Sequence, residues 1–236
     1  MPKVFISKIQ SYFEEANHSI HKARNELKII EHEGKKFVVK SFKVPHLLNR
    51  IIYSFFRKSK AQKSYENSIK ISGFVPKAIA YKIYKSQGLI AQSYFISEYF
   101  AYDFTIREPL LDNNFEERED IFRHFALFTY LLHEEGICHL DYSPGNILIQ
   151  KTAKGYCFKI VDINRMKFKN LKTKERLQNF AKLWAKDEDL EIMISSYAKL
   201  IDQEEVSCVA LALAYSQKHK DKKNFKKRLK GEKVVD

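Results

Sequence analysis

Glycine and proline are scarce in this chain, seven and five of 236 residues, which excludes collagenous and low-complexity classes. No run approaches the roughly 18 consecutive apolar residues that a membrane-spanning helix requires. Cysteine is limited to Cys138, Cys157 and Cys208. That odd number, without C-x-x-C spacing, indicates neither a disulfide framework nor a zinc site, and a reducing, cytosolic compartment is expected. The N-terminal Met1-Pro2-Lys3-Val4-Phe5-Ile6 begins no apolar stretch of signal-peptide length, and Glu14 and Glu15 interrupt it early, so export is not expected. Acid is the most unevenly missing residue type: between positions 35 and 97 the only carboxylate is Glu66.

What is present is positive charge. The formal net charge is +13, from 42 Lys+Arg against 29 Asp+Glu. Residues 35–97 hold 13 of the basic side chains and residues 217–236 another nine, whereas residues 98–216 carry a net charge of −5. Such a field concentrates polyanions: nucleic acid, anionic lipid head groups or nucleotide phosphates. An apolar fraction of 44% is ordinary for a globular chain and rules out disorder as the main state.

Periodicity divides the chain near residue 100. Phe5, Ile9, Tyr12 and Phe13 fall at helical spacing. Glu26–Glu31 and Lys36–Phe42 flank Glu33-Gly34 as a β-hairpin. A basic helical stretch from Leu47 to about Ser72 ends at Gly73 and Pro76, and two more strand-like runs, Lys77–Tyr84 and Leu89–Phe100, follow. A five-stranded sheet carrying one main helix is predicted for residues 1–100. Residues 101–236 are predicted to be mainly helical, with a helix from Asn114 to about Glu135. Asn114 is its expected cap, Glu117 its capping-box residue, and Ile121, Phe122, Phe125, Phe128, Leu131 and Leu132 its core face. Three further helices are expected over 171–230.

The chemistry-bearing stretch is His139-Leu140-Asp141-Tyr142-Ser143-Pro144-Gly145-Asn146, followed by a hairpin whose second strand ends Ile160-Val161-Asp162. Taken singly, these are a core histidine, a turn-forming aspartate and an ordinary polar turn. Together, after a capped helix, before a hairpin ending in aspartate and behind a β-rich first half, they match the kinase pattern H-x-D-x-x-x-x-N with a second aspartate. Phosphoryl transfer needs one carboxylate to orient the attacking hydroxyl, and a carboxylate and an amide to hold Mg²⁺ on the phosphates. Val38-Val39-Lys40 has the form of the kinase lysine strand. Glu66, the only acid between positions 35 and 97, is its expected ion-pair partner, the alternative being an exposed helix glutamate balancing Lys63 or Lys70.

With these motifs in place, the chain resembles the lipopolysaccharide kinases, a protein-kinase-like family acting on Kdo or heptose of the inner core. The resemblance spans roughly residues 20–170. It is carried by Arg24-Asn25, Val38-Val39-Lys40-Ser41-Phe42-Lys43, Ser59–Glu66, His139–Asn146 and Val161-Asp162-Ile163-Asn164-Arg165. It implies an α+β, two-lobed protein-kinase-like fold, with a small β-rich N-lobe (1–100) and a reduced helical C-lobe (101–236). It also implies ATP and Mg²⁺ as cofactors. Asp141 would orient and deprotonate a sugar hydroxyl, Lys40 would contact the α/β-phosphates and Glu66 would hold Lys40. Asn146 and Asp162 would bind Mg²⁺, and His139 would brace the loop. Glu98 marks the expected hinge beside adenine, Arg24 and Asn25 a backbone stretch covering phosphates, and Ser143 and Arg165 candidate substrate contacts. The departures are specific. No G-x-G-x-x-G precedes Lys40, Asp162-Ile163-Asn164 stands where kinases carry D-F-G, Ser143 replaces a lysine, and no A-P-E follows.

The implied acceptor is a lipopolysaccharide core sugar or another glycolipid, reached from the cytoplasm at the inner face of the inner membrane. Leu47–Lys58 would lie in an anionic interface; the competing account packs this helix on the sheet. The rivals are an atypical serine kinase of the RIO kind, a pseudokinase and a basic nucleic-acid-binding module. No nucleic-acid-binding motif is present, and nucleic acid is not the expected partner.

Overall fold

The computed structural model describes residues 3–17, 19–22 and 25–232. The chain divides into two compact units, one running to Ala101 and including Asp162–Asn164, the other comprising Tyr102–Val161 and the chain from Arg165 onward.

The first unit is built on a five-stranded antiparallel sheet of β1 (Ser19–Lys22), β2 (Asn25–His32), β3 (Lys35–Phe42), β4 (Ala78–Ser86) and β5 (Leu89–Glu98), in the order β1-β2-β3-β5-β4. Its two tight hairpins turn on Glu33-Gly34 (φ 51° and 71°) and Gln87-Gly88 (φ 52° and 76°). Paired positive φ values match the right-handed strand twist, and glycine takes the second of them without a Cβ penalty. Helices α1 (Lys3–Ser7) and α2 (Ile9–Glu15) bury Phe5, Ile9 and Phe13 against Ile30, Phe37, Val39, Tyr94 and Ile96. At roughly 1.5–3 kcal/mol for each buried apolar side chain, those three anchors are comparable with the whole net stability of a typical domain. The N-terminal helices therefore belong to the sheet's core.

The single basic helix expected from Leu47 to Ser72 is instead two segments. Helix α3 (Leu47–Ile51) runs into a π-type turn, Ile52–Phe56, and α4 (Lys60–Lys70) starts anew. The Ser54 hydroxyl donates to the Arg50 carbonyl at 2.6 Å and accepts from the Ile90 N–H at 2.8 Å, which loosens the helical ladder and ties it to β5. Arg57 is extended, and the Ser59 hydroxyl accepts from the Gln62 N–H at 3.1 Å as the cap of α4. Three apolar side chains of the first segment face away from the sheet: Leu48, Phe55 and Phe56 are 77%, 65% and 79% exposed.

The second unit comprises β6 (Phe104–Thr105), α5 (Arg107–Leu111), α6 (Arg118–Glu134), β7 (Ile137–His139), β8 (Ile147–Thr152), β9 (Gly155–Ile160), β10 (Met166–Phe168), α7 (Thr173–Phe180), α8 (Asp187–Leu200) and α9 (Glu205–Arg228). Strands β6, β8 and β9 form one small sheet, and β7 pairs with β10. Asn114 does not cap α6. Its N–H bonds the Asp112 carboxylate in a turn, and the helix begins at Arg118. Glu117 is left-handed (φ 56°), and its carboxylate turns to the Tyr156 hydroxyl at 2.6 Å and the Lys151 ammonium at 3.0 Å. Those partners lie on the β8–β9 hairpin and draw Glu117 away from a capping box. Ile121, Phe122, Phe125, Phe128 and Leu132 are buried as expected, whereas Leu131 is exposed. Gly136 ends the helical run at φ 66°, where a Cβ would lie 2.8 Å from the Lys169 carbonyl oxygen.

Candidate active site

Strand alternation places Lys40. Phe37 and Val39 face the α1–α2 core, so Lys40 projects from the opposite face of β3, held in register between Leu27 of β2 and Phe95 of β5. Its ammonium lies 2.7 Å from Asp162 Oδ1, and the side chain is 12% exposed. The Asn164 amide donates to the same oxygen at 2.6 Å. Asp162 adopts φ 56°, a conformation aspartate tolerates better than most residues. Ile163 is buried beside it. The Asn67 side-chain amide of α4 donates to the Ile163 carbonyl at 2.7 Å, which fastens the Asp162 segment to the helix.

The expected Lys40–Glu66 pair does not form. Helix α4 turns Ala61, Ser64, Asn67 and Ser68 inward, and Glu66, about 100° around the helix from Asn67, accepts instead from Lys58 at 2.8 Å and Gln62 at 3.1 Å. The Lys58 hydrogen bond is the main cause holding the Glu66 carboxyl below its ordinary range. The partner of Lys40 comes from the distant Asp162 segment, and the inward position of α4 belongs to Asn67.

The second unit carries the catalytic-type loop. The Asp141 N–H donates to His139 Nδ1 at 3.0 Å, and His139 Nε2 lies 2.9 Å from the Val161 carbonyl. These partners require the proton on Nε2 and a neutral ring. The histidine thereby joins the loop to the residue immediately before Asp162. The Asn146 amide donates to the Asp141 carbonyl at 2.9 Å, and the Val161 N–H to the Asn146 carbonyl at 2.9 Å. Ser143 contributes its backbone: its N–H bonds the Asp141 carbonyl and its carbonyl accepts from the Asn146 N–H. The Asp141 carboxylate is half-buried and accepts no hydrogen bond among the described residues. Gly145 leaves room for Arg107, whose guanidinium would lie 2.6 Å from a Cβ at that position.

Beneath the loop the supports are buried and neutral. The Tyr142 hydroxyl is 2.9 Å from that of Thr129, which also donates to the Phe125 carbonyl. The Asn179 amide donates to the His139 carbonyl at 3.0 Å, and its oxygen accepts from His133 Nε2 at 3.2 Å. Burial pushes His133 down to about 4 and raises the Tyr142 hydroxyl well above its usual range. Asn67, Asn179, Thr129 and His133 were missed by sequence reasoning. Only Asn67 left a signal there, since Ala61, Ser64 and Ser68 mark a small-residue face on its helix.

The remaining candidates are dispersed. Glu98 ends β5 with its carboxylate 3.1 Å from Lys77 and its N–H on the Lys77 carbonyl. Asn25 accepts from the Lys43 N–H through its side-chain oxygen. Arg24 lies outside the described residues. The Arg165 side chain is exposed, and its carbonyl accepts from the Leu140 N–H at 2.9 Å.

A carboxylate on Asp162 and an amide oxygen on Asn146 are hard donors suited to Mg²⁺. Among the described residues no group of three or more His, Cys, Asp or Glu side chains forms a metal cage.

A strand lysine paired with an aspartate, in the first unit, and a histidine-braced aspartate loop, in the second, are residue types that the kinase pattern calls for. The comparisons agree. The description "Lipopolysaccharide kinase (Kdo/WaaP) family" matches residues 62–203, more than half of the chain, which therefore belongs to that family. A search of curated proteins returned no match. A solved structure described as WaaP in complex with acyl carrier protein superposes with a TM-score of 0.56 at 13% identity, covering 89% of this chain and 91% of that one. The fold is thus α+β and protein-kinase-like, and the protein is a kinase of the lipopolysaccharide family.

Proposed function

We propose that this kinase transfers the γ-phosphoryl group of ATP to a sugar hydroxyl of the lipopolysaccharide inner core, on Kdo or heptose, at an anionic membrane surface. The observation that carries it is the histidine-braced loop presenting the Asp141 carboxylate without a hydrogen-bond partner among the described residues. That carboxylate accepts the proton of the sugar hydroxyl and aims its oxygen. Lys40 would hold the α/β-phosphates, its ammonium exchanging the Asp162 carboxylate for phosphate oxygens, and Asp162 and Asn146 are the residues that would each offer an oxygen to Mg²⁺. The bound ion would neutralise charge on the transferred group. Catalysis then rests on positioning and charge. Glu66, bonded to Lys58, has no assigned part in this scheme.

Surface docking is supported by the segment Val44–Phe56. It exposes Val44, Leu47, Leu48, Ile51, Ile52, Phe55 and Phe56 in a region of the chain whose only acid is Glu66. Exposed apolar side chains flanked by cations are the composition of an interfacial helix. Not every cation there is free for head groups, since Arg50 Nε donates to the Ile90 carbonyl at 2.9 Å and Lys58 pairs with Glu66. Among the described residues no helix is long and apolar enough to cross a membrane.

The test is Mg²⁺-dependent transfer of labelled γ-phosphate from ATP to purified core, followed by hydrolysis to locate the label. Label on Kdo or heptose is expected. Label on protein and none on the core would overturn the acceptor assignment. Vesicles with anionic lipid are expected to pull down the parent at physiological salt and to lose the Leu48→Ser/Phe55→Ser/Phe56→Ser variant. Equal recovery would remove the docking surface.

A further inference from the structure

Asp162 sits at φ 56°, and a non-glycine residue stays in that region only where its surroundings over-determine it. Two holds act on its side chain: the Lys40 ammonium at 2.7 Å and the Asn164 amide at 2.6 Å share Oδ1. The first of these is given up in the proposed scheme, when Lys40 turns to phosphate oxygens. A third hold acts on the backbone and involves no charge. The Asn67 amide donates to the Ile163 carbonyl at 2.7 Å, bridging 96 residues of sequence. Both partners are buried, Asn67 at 6% and Ile163 at 3% exposure, so water does not compete for the bond.

Helix α4 is placed to deliver that amide. Ala61, Ser64, Asn67 and Ser68 are its buried residues, and at helical spacing they form one face. The small neighbours let the helix approach closely enough for a short asparagine to reach a main-chain carbonyl. The helix itself is fixed from other sides: Ser59 caps its start, Tyr65 packs against Tyr81 of β4 with ring centroids 5.4 Å apart, and Glu66 is engaged by Lys58 and Gln62. Where the kinase pattern uses a helix glutamate to hold the strand lysine, the inward contact of α4 goes to the aspartate segment.

We propose that Asn67 is a positioning residue for the Asp162 carboxylate. By fixing the Ile163 carbonyl it keeps Asp162 in its left-handed conformation after Lys40 has left for phosphate, so that the carboxylate stays available to the metal ion. The inference rests on the reading of Asp162 as a Mg²⁺ ligand and deepens it: α4 acts on the metal ligand through an asparagine, in place of acting on the lysine through a glutamate. Outer partners of this kind set metal affinity through the ligand they orient.

The test is calorimetry of the full chain with Mg·ATP and, separately, with ATP in EDTA, no acceptor being present. Asn67→Ala and Asn67→Leu, the second keeping much of the side chain's volume, should each bind Mg·ATP about 10–100-fold more weakly than the parent. Metal-free ATP should bind within about twofold of the parent. In transfer assays the Mg²⁺ requirement should rise by the same factor as the loss of Mg·ATP affinity. In an Asp162→Ala background the same substitutions should change Mg·ATP affinity by less than about twofold, because the residue acts through that carboxylate. A merely structural asparagine would lower the melting temperature and leave the ratio of Mg·ATP to ATP affinity unchanged; that result in either folded variant overturns the proposal. So does an Asn67 effect that persists without Asp162, or the failure of both variants to fold. The underlying reading fails separately: Asp162→Asn with the parent's Mg·ATP affinity removes Asp162 as the metal ligand. Affinity lost in Asp162→Asn but kept in both Asn67 variants removes the positioning role alone.

Discussion

The two units hold their candidate site residues by opposite means. In the first, Lys40 and Asp162 are held by charge: a 2.7 Å ion pair in a region with one acid among residues 35–97. In the second, Asp141 is held by neutral hydrogen bonds through His139, Asn146, Asn179, Thr129 and Tyr142, and its carboxylate stays out of the network. In the proposed scheme the first arrangement is exchanged, the Lys40 ammonium leaving the Asp162 carboxylate for phosphate oxygens. The second is made to stay fixed, because satisfied buried polar groups are costly to disturb.

The sharpest way to break this comparison is to neutralise the charged half. Asp162→Asn and Lys40→Met should each lower kcat/KM by about 10²–10³-fold with circular dichroism unchanged, and activity within tenfold of the parent would contradict the exchange role. The neutral half is tested by acid. His133 is folded near 4 against an ordinary 6.5, so the unfolded chain binds the extra proton between those values. Its stabilisation is complete above about pH 6.5 and is lost as pH falls toward 4, by roughly 3 kcal/mol in all. Urea midpoints should therefore fall from pH 7 to pH 5, and a flat profile would show that His133 is not held neutral.

Smaller changes sharpen the same contrast. Tyr142→Phe removes one buried hydrogen bond while Thr129 keeps the Phe125 carbonyl, so a loss of about 1 kcal/mol is expected in chemical unfolding; a loss above about 3 kcal/mol would mean the network is more tightly coupled. Glu66→Gln should change kcat/KM less than about threefold, because Glu66 engages Lys58 and Gln62. A loss of 10²-fold would restore Glu66 as the partner of Lys40 during turnover.

Much of the fold was legible because period and turn chemistry agree. The Glu33-Gly34 hairpin, the strand ending in Val38-Val39-Lys40 and the core stripe Ile121-Phe122-Phe125 read directly from sequence. Long-range choices were not legible. Glu66 was selected as the only acid among residues 35–97, but the partner lies 122 residues from Lys40, in a segment held by a buried Asn67–Ile163 bond that no pattern reveals. The break between α3 and α4 depends on Ser54 bonding Ile90 of a later strand, and Asn114 lost the capping role because Glu117 found Tyr156 and Lys151 on a hairpin further on. Local signals name the elements, and tertiary hydrogen bonds decide which side chain faces which.

Single-turnover transfer of labelled γ-phosphate to lipopolysaccharide core, parent against Asp141→Ala, tests the central claim most directly. The variant should keep the parent's melting temperature and lose label by about 10³-fold or more, because a carboxylate outside the hydrogen-bond network can be removed without disturbing its loop. A folded variant that still labels the core within tenfold of the parent would contradict the account.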